Sequence, residues 1–347
     1  MQNYIKYMHR CIDLARNGKG MVAPNPMVGS VIVHNNKIIG EGYHRVFGGP
    51  HAEVNAINSV KETQLLPEST LYVNLEPCSH MGKTPPCSDL IIEKGLKKLV
   101  IGTTDPNSIV AGKGIEKLKN AGLEVVLGVL EEECFELNKR FFTFHAKKRP
   151  YIILKWAQSR DGYIDIDRTP GTPIGPNWIS NPISRTLVHK WRSVENAIMV
   201  GTNSVVYDNP GLDTRYWPGK SPLRITVDRK ARIPENAKLF NGETDTLVFT
   251  EKHIQNKPKL TYIRLNFDEP ILDAVLEELY TREILSLMVE GGRKLLQSFI
   301  NNGLWDEARI FMGNKDFKNG IKAPEIHANS KSFKQILNDS LVICQNR

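Results

Sequence analysis

The sequence predicts an α/β protein of two domains, on three observations. Strand-like runs rich in Val, Ile and Leu alternate with amphipathic helical runs, the pattern of sheets layered with helices. The 347 residues are enough for two cores of ordinary size. A charged stretch ending in proline, Ala146-Lys147-Lys148-Arg149-Pro150, interrupts the alternation after a helical run and divides the chain into 1–146 and 147–347.

In chain order, Ile5, Met8, Ile12 and Ala15 mark one face of a helix that Asn17-Gly18 ends. Two prolines flank Asn25 and hold it extended, so its amide is presented rigidly or serves a plain turn. Residues 28–33 and 37–44 alternate as a hairpin around Asn35-Asn36. An amphipathic run follows at 54–60, a strand at 70–75, and a second helical run after Cys87, stopped by Gly95. Residues 99–103 read as a strand, 114–121 as a helix, 124–127 as a strand and 131–144 as one last helix. In the second half, 151–155, 197–200 and 286–289 read as strands, and 184–192 and 294–300 as helices. Arg185, His189 and Arg192 fall at i, i+4 and i+7, on one helix face. Such a stripe is usually solvated, but arginines there could also meet a phosphate. The patterning weakens after Gly313.

Composition narrows the function. Five cysteines, Cys11, Cys78, Cys87, Cys134 and Cys344, are too few and too odd in number for a disulfide framework, and point to a reducing cytoplasm. No apolar run is long enough to span a bilayer. The net charge of +8 is spread along the chain, with no basic block longer than Lys147-Lys148-Arg149, so a solvated surface or small phosphates account for it.

The chemistry concentrates between His51 and Cys87. His51-Ala52-Glu53 opens the stretch and Glu76-Pro77-Cys78-Ser79-His80-Met81-Gly82-Lys83-Thr84-Pro85-Pro86-Cys87 closes it. One imidazole and two thiols supply three ligands for a zinc ion and leave a fourth position for water. Glu53 is then a carboxylate beside the metal, placed to shuttle protons. His-x-Glu, Pro-Cys and Cys in that order is the pattern of zinc-dependent deaminases. His80 is a candidate fourth ligand, crowded between the two cysteines. On a helix flank His51 and Glu53 would point apart; at a helix start both can face one ion. Cys87 also opens a helical run, whose N-terminus favours thiolate.

In the second half, Glu290-Gly291-Gly292 joins a strand to a helix start. Paired glycines there can form a compact nest of backbone N–H groups for phosphate, although on their own a plain βα turn explains them better.

The long loop between Cys78 and Cys87 resembles the deaminase half of the bacterial bifunctional riboflavin-biosynthesis enzymes. Leu-Lys-x-Ala-x-Ser-x-Asp-Gly at 154–162, Trp-Ile-Ser at 178–180, Gly-Thr-Asn-Ser-Val at 201–205, Asp-Asn-Pro-x-Leu-x-x-Arg at 208–215 and Glu-Gly-Gly at 290–292 resemble the reductase half. One departure is Pro176, where a serine is usual two places before the tryptophan. The resemblance implies a cytidine-deaminase-like three-layer α/β/α domain followed by a dihydrofolate-reductase-like α/β domain. It implies zinc-dependent hydrolytic deamination of 2,5-diamino-6-(5-phosphoribosylamino)pyrimidin-4-one. NADPH-dependent reduction of the ribosyl side chain of 5-amino-6-(5-phosphoribosylamino)uracil to ribityl follows.

By that resemblance zinc is held by His51, Cys78 and Cys87, and Glu53 transfers protons. Asn25 and His44 hold the pyrimidine, with Lys83 and Thr84 near the ribose phosphate. Lys155, Arg192, Asp208, Leu212, Arg215 and Glu290 contact the reductase substrate. Gln158, Trp178, Ser204, Asp208 and the run Gly292, Arg293, Lys294, Leu295, Leu296, Gln297 and Ser298 hold NADPH. The implied partners are phosphorylated pyrimidines, with no nucleic acid or membrane and room for a homo-oligomer. A nucleic-acid-editing deaminase would need base-stacking aromatics beside a continuous basic groove, and neither is visible. A zinc-stabilised binding module leaves Glu53 unexplained.

Overall fold

The computed structural model describes residues 2–81, 85–107, 111–169 and 171–346. It divides into two compact units, Met1–Lys148 and Arg149–Arg347.

The first unit runs α1 (Gln2–Arg16), β1 (Gly29–His34), β2 (Lys37–Tyr43), α2 (Ala52–Asn58), β3 (Thr70–Leu75), α3 (Cys87–Glu93), β4 (Lys98–Thr103), α4 (Lys113–Asn120), β5 (Glu124–Leu127), α5 (Glu131–Leu137) and α6 (Lys139–Lys147). Its five strands lie in the order β2-β1-β3-β4-β5, antiparallel through β2, β1 and β3 and parallel from β3 to β5. Successive side chains of a strand point to opposite faces, and here both faces are covered. Leu71, Val73, Leu99 and Ile101 pack with Ala56, Ile57, Ile91, Ile115 and Leu118 on one side. Tyr72 and Val100 pack with Met8, Cys11, Ile12 and Cys134 on the other. Each fully buried aliphatic side chain contributes roughly 1.5–3 kcal/mol. The single helix expected over 131–144 is instead two, broken at Asn138, whose backbone leaves the helical region. Asn138 is spent on a tertiary contact: its Oδ1 accepts Met27 N at 2.8 Å and its Nδ2 donates to Met27 O at 2.8 Å.

The second unit runs β6 (Tyr151–Gln158), β7 (Tyr163–Asp165), α7 (Pro182–Arg192), β8 (Ala197–Gly201), α8 (Thr202–Asp208), β9 (Leu223–Val227), β10 (Thr246–Thr250), β11 (Leu260–Arg264), α9 (Ile271–Thr281), β12 (Ser286–Glu290), α10 (Arg293–Asn301), β13 (Glu307–Met312), β14 (Ile321–Lys322), β15 (Ser330–Ile336) and β16 (Asp339–Gln345). Nine strands form one sheet in the order β11-β10-β9-β8-β12-β6-β13-β16-β15. It is parallel from β11 to β13, and β16 and β15 close it antiparallel. The weakly patterned tail after Gly313 thus supplies the last hairpin; its edge strand β15 is exposed along most of its length, so no alternation marks it. From β8 the chain moves outward to β9, and from β12 it crosses β6 to β13. The carboxyl ends of β8 and β12 therefore flank a topological switch point, where open α/β sheets bind ligands. Among the described residues no helix is long and apolar enough to cross a membrane.

Candidate active sites

In the first unit two helix starts converge. His51 is the N-cap residue of α2 and its side chain makes no cap hydrogen bond, which leaves the imidazole free to face across the loop. Glu53 lies in the first turn of α2, 3% exposed. Cys87 is the first residue of α3, and Cys78 follows β3 by three residues. The His51, Cys78 and Cys87 ligand atoms all lie within 4.8 Å of one another. His51 Nδ1 is 3.5 Å from Cys78 Sγ and 3.3 Å from Cys87 Sγ. Tetrahedral zinc with ordinary Zn–S and Zn–N bonds would set its sulfur and nitrogen ligands about 3.6 Å apart. The donors therefore fit zinc in both chemistry and spacing. His80 is exposed and outside the group.

The helix dipole acts on the cluster, but not on the expected thiol. The Cys87 backbone N–H donates to Cys78 Sγ at 3.3 Å, so the α3 N-terminus serves Cys78. The Cys87 thiol donates to the same sulfur and, with His51, holds Cys78 down at about 4 despite its burial. Cys87, as the donor and buried, is pushed well up. The His51 ring is raised, chiefly by its hydrogen bond to Cys78. Burial, and then the Cys78 charge, lift the Glu53 carboxyl to about 7.

Beside the cluster, His44 is 2% exposed and its ring centre is 5.4 Å from that of His51. Its Nδ1 is 3.0 Å from Pro50 O, an acceptor only, so the proton is on Nδ1. Nε2 then accepts from Asn25 Nδ2 at 3.1 Å. Asn25 closes a turn rather than an extended segment: its N–H donates to Val22 O across the cis Ala23–Pro24 bond. Lys83 and Thr84 lie outside the described residues.

Sequence reasoning missed the residues that hold this site in shape. The Glu76 carboxylate, 4% exposed, accepts backbone N–H groups of Asp105, Gly112, Gly114 and Ile115 at 3.0–3.2 Å. It ties the start of α4 to the Pro77-Cys78 turn. Its position next to a metal-loop cysteine was the available signal. The Asp105-Pro106-Asn107 loop is held by turn chemistry, Asp105 Oδ1 accepting Asn107 N at 2.8 Å. Asn74 joins Asn138 in fixing the segment after Asn25, its Oδ1 accepting Gly29 N at 2.7 Å. A Cβ at Gly114 would lie 2.2 Å from Pro77 O. Gly114→Ala is therefore expected to cost about 1–3 kcal/mol through overpacking and to weaken zinc retention by moving Cys78. Thermal denaturation and metal analysis check this, and an unchanged variant would mean that α4 does not press on the metal loop.

In the second unit a cavity of about 1680 Å³ opens at the carboxyl ends of β8 and β12. Lys155, Trp178, Arg192, Ser204, Asp208, Leu212, Arg215, Glu290, Gly292, Arg293, Lys294, Leu295 and Ser298 line it. Its floor is a buried charge network. Arg192 grips Glu290 with two bonds of 3.0 and 2.8 Å, and Lys155 Nζ lies 3.5 Å from the same carboxylate. Burial alone would raise Glu290, but Arg192 and then Lys155 hold it at about 2. Burial lowers Lys155, with Glu290 opposing. Burial lifts Asp208 to about 6 against the pull of Arg168, 2.7 Å away. The α7 stripe is not solvated: Arg185, His189 and Arg192 all face the cavity, with His189 4% and Arg192 9% exposed. Burial, then Arg192 and Arg215, push His189 down to about 4.

Three expected cofactor contacts are not on this wall. Leu296 is fully buried in the core and its N–H is spent on Gly292 O. Gln297 turns to Glu325, accepting its N–H at 2.9 Å, and Gln158 accepts Trp156 Nε1 at 2.9 Å. The nest reading of Gly291-Gly292 also changes. Gly292 is an N-cap with φ −70°, Gly291 shows no positive φ either, and Gly292 N donates to Ser204 Oγ at 3.1 Å. The α10 start still leaves the Arg293, Lys294 and Leu295 amides outside the helical ladder. With the cationic wall, these fit the phosphates of a dinucleotide. Asp161-Gly162 is a turn, with Gly162 at φ +87° and Asp161 accepting Phe317 N and Lys318 N.

Residues 1–103 match the family model of the cytidine and deoxycytidylate deaminase zinc-binding region, and residues 150–315 that of the RibD C-terminal domain. The riboflavin biosynthesis protein RibD of Aquifex aeolicus is 42% identical over 329 residues, 92% of this chain and 89% of that protein. RibD of Escherichia coli is 34% identical over 326 residues, 89% of this chain and 87% of that protein. A solved diaminohydroxyphosphoribosylaminopyrimidine deaminase/5-amino-6-(5-phosphoribosylamino)uracil reductase from Thermotoga maritima aligns over 100% of this chain and 99% of its own, with TM-score 0.88 and 37% identity. Acinetobacter baumannii RibD gives TM-score 0.86 and 31% identity over 100% of this chain and 99% of its own.

Proposed function

Because the chain belongs to the RibD family of riboflavin-biosynthesis proteins, we propose that each of the family's two reactions is carried by the cluster described above in its own unit. The enzyme deaminates 2,5-diamino-6-(5-phosphoribosylamino)pyrimidin-4-one and reduces the ribosyl group of 5-amino-6-(5-phosphoribosylamino)uracil with NADPH. Residues 1–146 carry the first step and residues 147–347 the second.

The deaminase assignment rests on one observation, three zinc-compatible donors converging beside a buried non-ligand carboxylate. Zinc bound by His51, Cys78 and Cys87 supplies Lewis acidity that brings the pKa of a coordinated water toward 7. Glu53 takes one proton of the attacking water and passes it to the pyrimidine ring nitrogen, then takes the proton of the hydroxyl now on the ring carbon and passes it to the amino group, which departs as ammonia. Asn25 and His44 orient the ring, and the His44–Pro50 bond fixes which imidazole nitrogen faces it. Free thiols suit a reducing cytoplasm, where we place the enzyme.

In the second unit NADPH supplies the hydride when bound. The α10 amides of Arg293, Lys294 and Leu295 would take its phosphates, Ser204 and Trp178 would line its site, and Asp208, on the same cavity wall, would contact both cofactor and substrate. Lys155, Arg192, Arg215 and Glu290 hold the phosphoribosyl pyrimidine, with Leu212 as apolar wall.

Metal analysis together with an ammonia-release assay tests the first assignment. Wild type should carry about one zinc per chain, and Cys87→Ser should lose both the metal and ammonia release. Full zinc in Cys87→Ser would remove it from the ligand set.

A further inference from the structure

The cofactor implied for the second unit carries an anion beyond its pyrophosphate, the 2′-phosphate of the adenosine ribose. The α10 start offers amides for one anionic group. The second needs a cation on the cavity wall that is not already neutralised. Most arginines there are: Arg168 pairs with Asp165 and Asp208, Arg192 with Glu290, Arg215 with Asp213, and Arg229 with Glu251 and Asp268. Arg232 differs. It lines the cavity, and its Nη2 donates to Asn203 Oδ1 at 2.6 Å, a neutral amide. It has no carboxylate partner among the described residues.

Its place in the fold is as specific as its charge. Asn203 is the second residue of α8 and the chain neighbour of Ser204. Ser204 Oγ accepts Gly292 N at 3.1 Å, so the first turn of α8 touches the start of α10. Gly201, the N-cap of α8, is close enough to Gly291 that a Cβ there would meet Gly201 N at 3.5 Å. A continuous path thus runs from the α10 amides through Ser204 and Asn203 to Arg232, on the loop that follows β9. Arg185, Lys238 and Lys294 also lack carboxylates among the described residues; Lys238 sits with its N–H on Asn209 Oδ1 at the C-terminal end of α8, away from the α10 start. Arg185, however, is stacked on Trp178 at 4.4 Å on α7, and Lys294 belongs to the α10 start itself.

We infer that Arg232, aimed by Asn203, binds the 2′-phosphate and makes the reductase selective for NADPH over NADH. The inference rests on the proposed course of the cofactor along α10. Guanidinium matches phosphate geometry with two parallel bonds, and no carboxylate competes for it.

Calorimetric titration of the full-length zinc-loaded enzyme with 2′,5′-ADP and with 5′-ADP tests this without turnover. Wild type should prefer 2′,5′-ADP. Arg232→Ala should bind it roughly tenfold or more weakly, with 5′-ADP binding unchanged and Arg232→Lys in between. Asn203→Ala should lose part of the preference, since the guanidinium is then unaimed. In turnover, Arg232→Ala should raise KM for NADPH, leaving KM for NADH and kcat at saturating NADPH unchanged. A wild type with the preference and an Arg232→Ala variant that keeps it would overturn the role of Arg232 alone. A wild type with no preference would overturn the cofactor's course as well. Arg232 is exposed and its guanidinium bonds only the side chain of Asn203 among the described residues, so the fold does not depend on it.

Discussion

Glu53→Gln should retain zinc and lose ammonia release by on the order of 10²–10⁴-fold, the usual contribution of a general acid–base group. Glu53 is 3% exposed behind the metal ligands, and its carboxyl is lifted to about 7 by desolvation and by the neighbouring Cys78 charge. A buried carboxyl beside the metal ligands but outside the ligand set is placed to take a proton and return it. Glutamine has the same shape and no exchangeable acid, so packing at the start of α2 is kept and the proton path is cut. The ligand set His51, Cys78 and Cys87 is untouched, so metal analysis should read as in wild type. Ammonia release close to the wild-type rate would mean that another group moves the protons. Loss of zinc in the same variant would mean that Glu53 holds the metal.

What the sequence made legible here was what is local. The strands Thr70–Leu75 and Glu124–Leu127 carry their own β-branched signal and coincide with the expected ranges. His51 and Cys87 could be placed at helix starts because the amphipathic runs begin beside them. The converging ligands followed from the order of a few residue types. What escaped depends on contacts distant in sequence. Asn138 interrupts an amphipathic pattern for the sake of Met27, 111 positions away. Glu76 reads as an ordinary residue before a proline until four amides of the 105–115 segment converge on it. The α7 stripe looks solvated because charge periodicity does not say what covers it. Leu296, three residues into α10, is apolar and turned to the core, and the helical period, not the motif, decides that.

Lys155→Met should lower reduction roughly 10²-fold and leave ammonia release unchanged. Lys155 lines the second cavity, its ammonium largely desolvated and 3.5 Å from Glu290. A fixed charge in so dry a place costs no reorganisation during reaction, and removing one such group typically costs 10²–10³-fold. Methionine keeps the length and apolar stem, and Glu290 keeps both bonds to Arg192, so no buried carboxylate is stranded. The fold should persist, with one measurable change. Glu290 is depressed to about 2, so its pairing contributes stability that is present above its unfolded pKa, near 4.3. That stability is lost as pH falls through the folded value. Without Lys155 the folded pKa rises toward the unfolded one, and acid unfolding should begin at higher pH. Deamination should not notice, because no residue assigned to it lies beyond Cys87, in the unit that ends at Lys148. Glu53→Gln is the converse case and should leave reduction of the already deaminated substrate intact. Both activities are to be measured on both variants, each with its own substrate. If Lys155→Met abolished ammonia release in a protein that still folds and holds zinc, the two reactions would share one composite site.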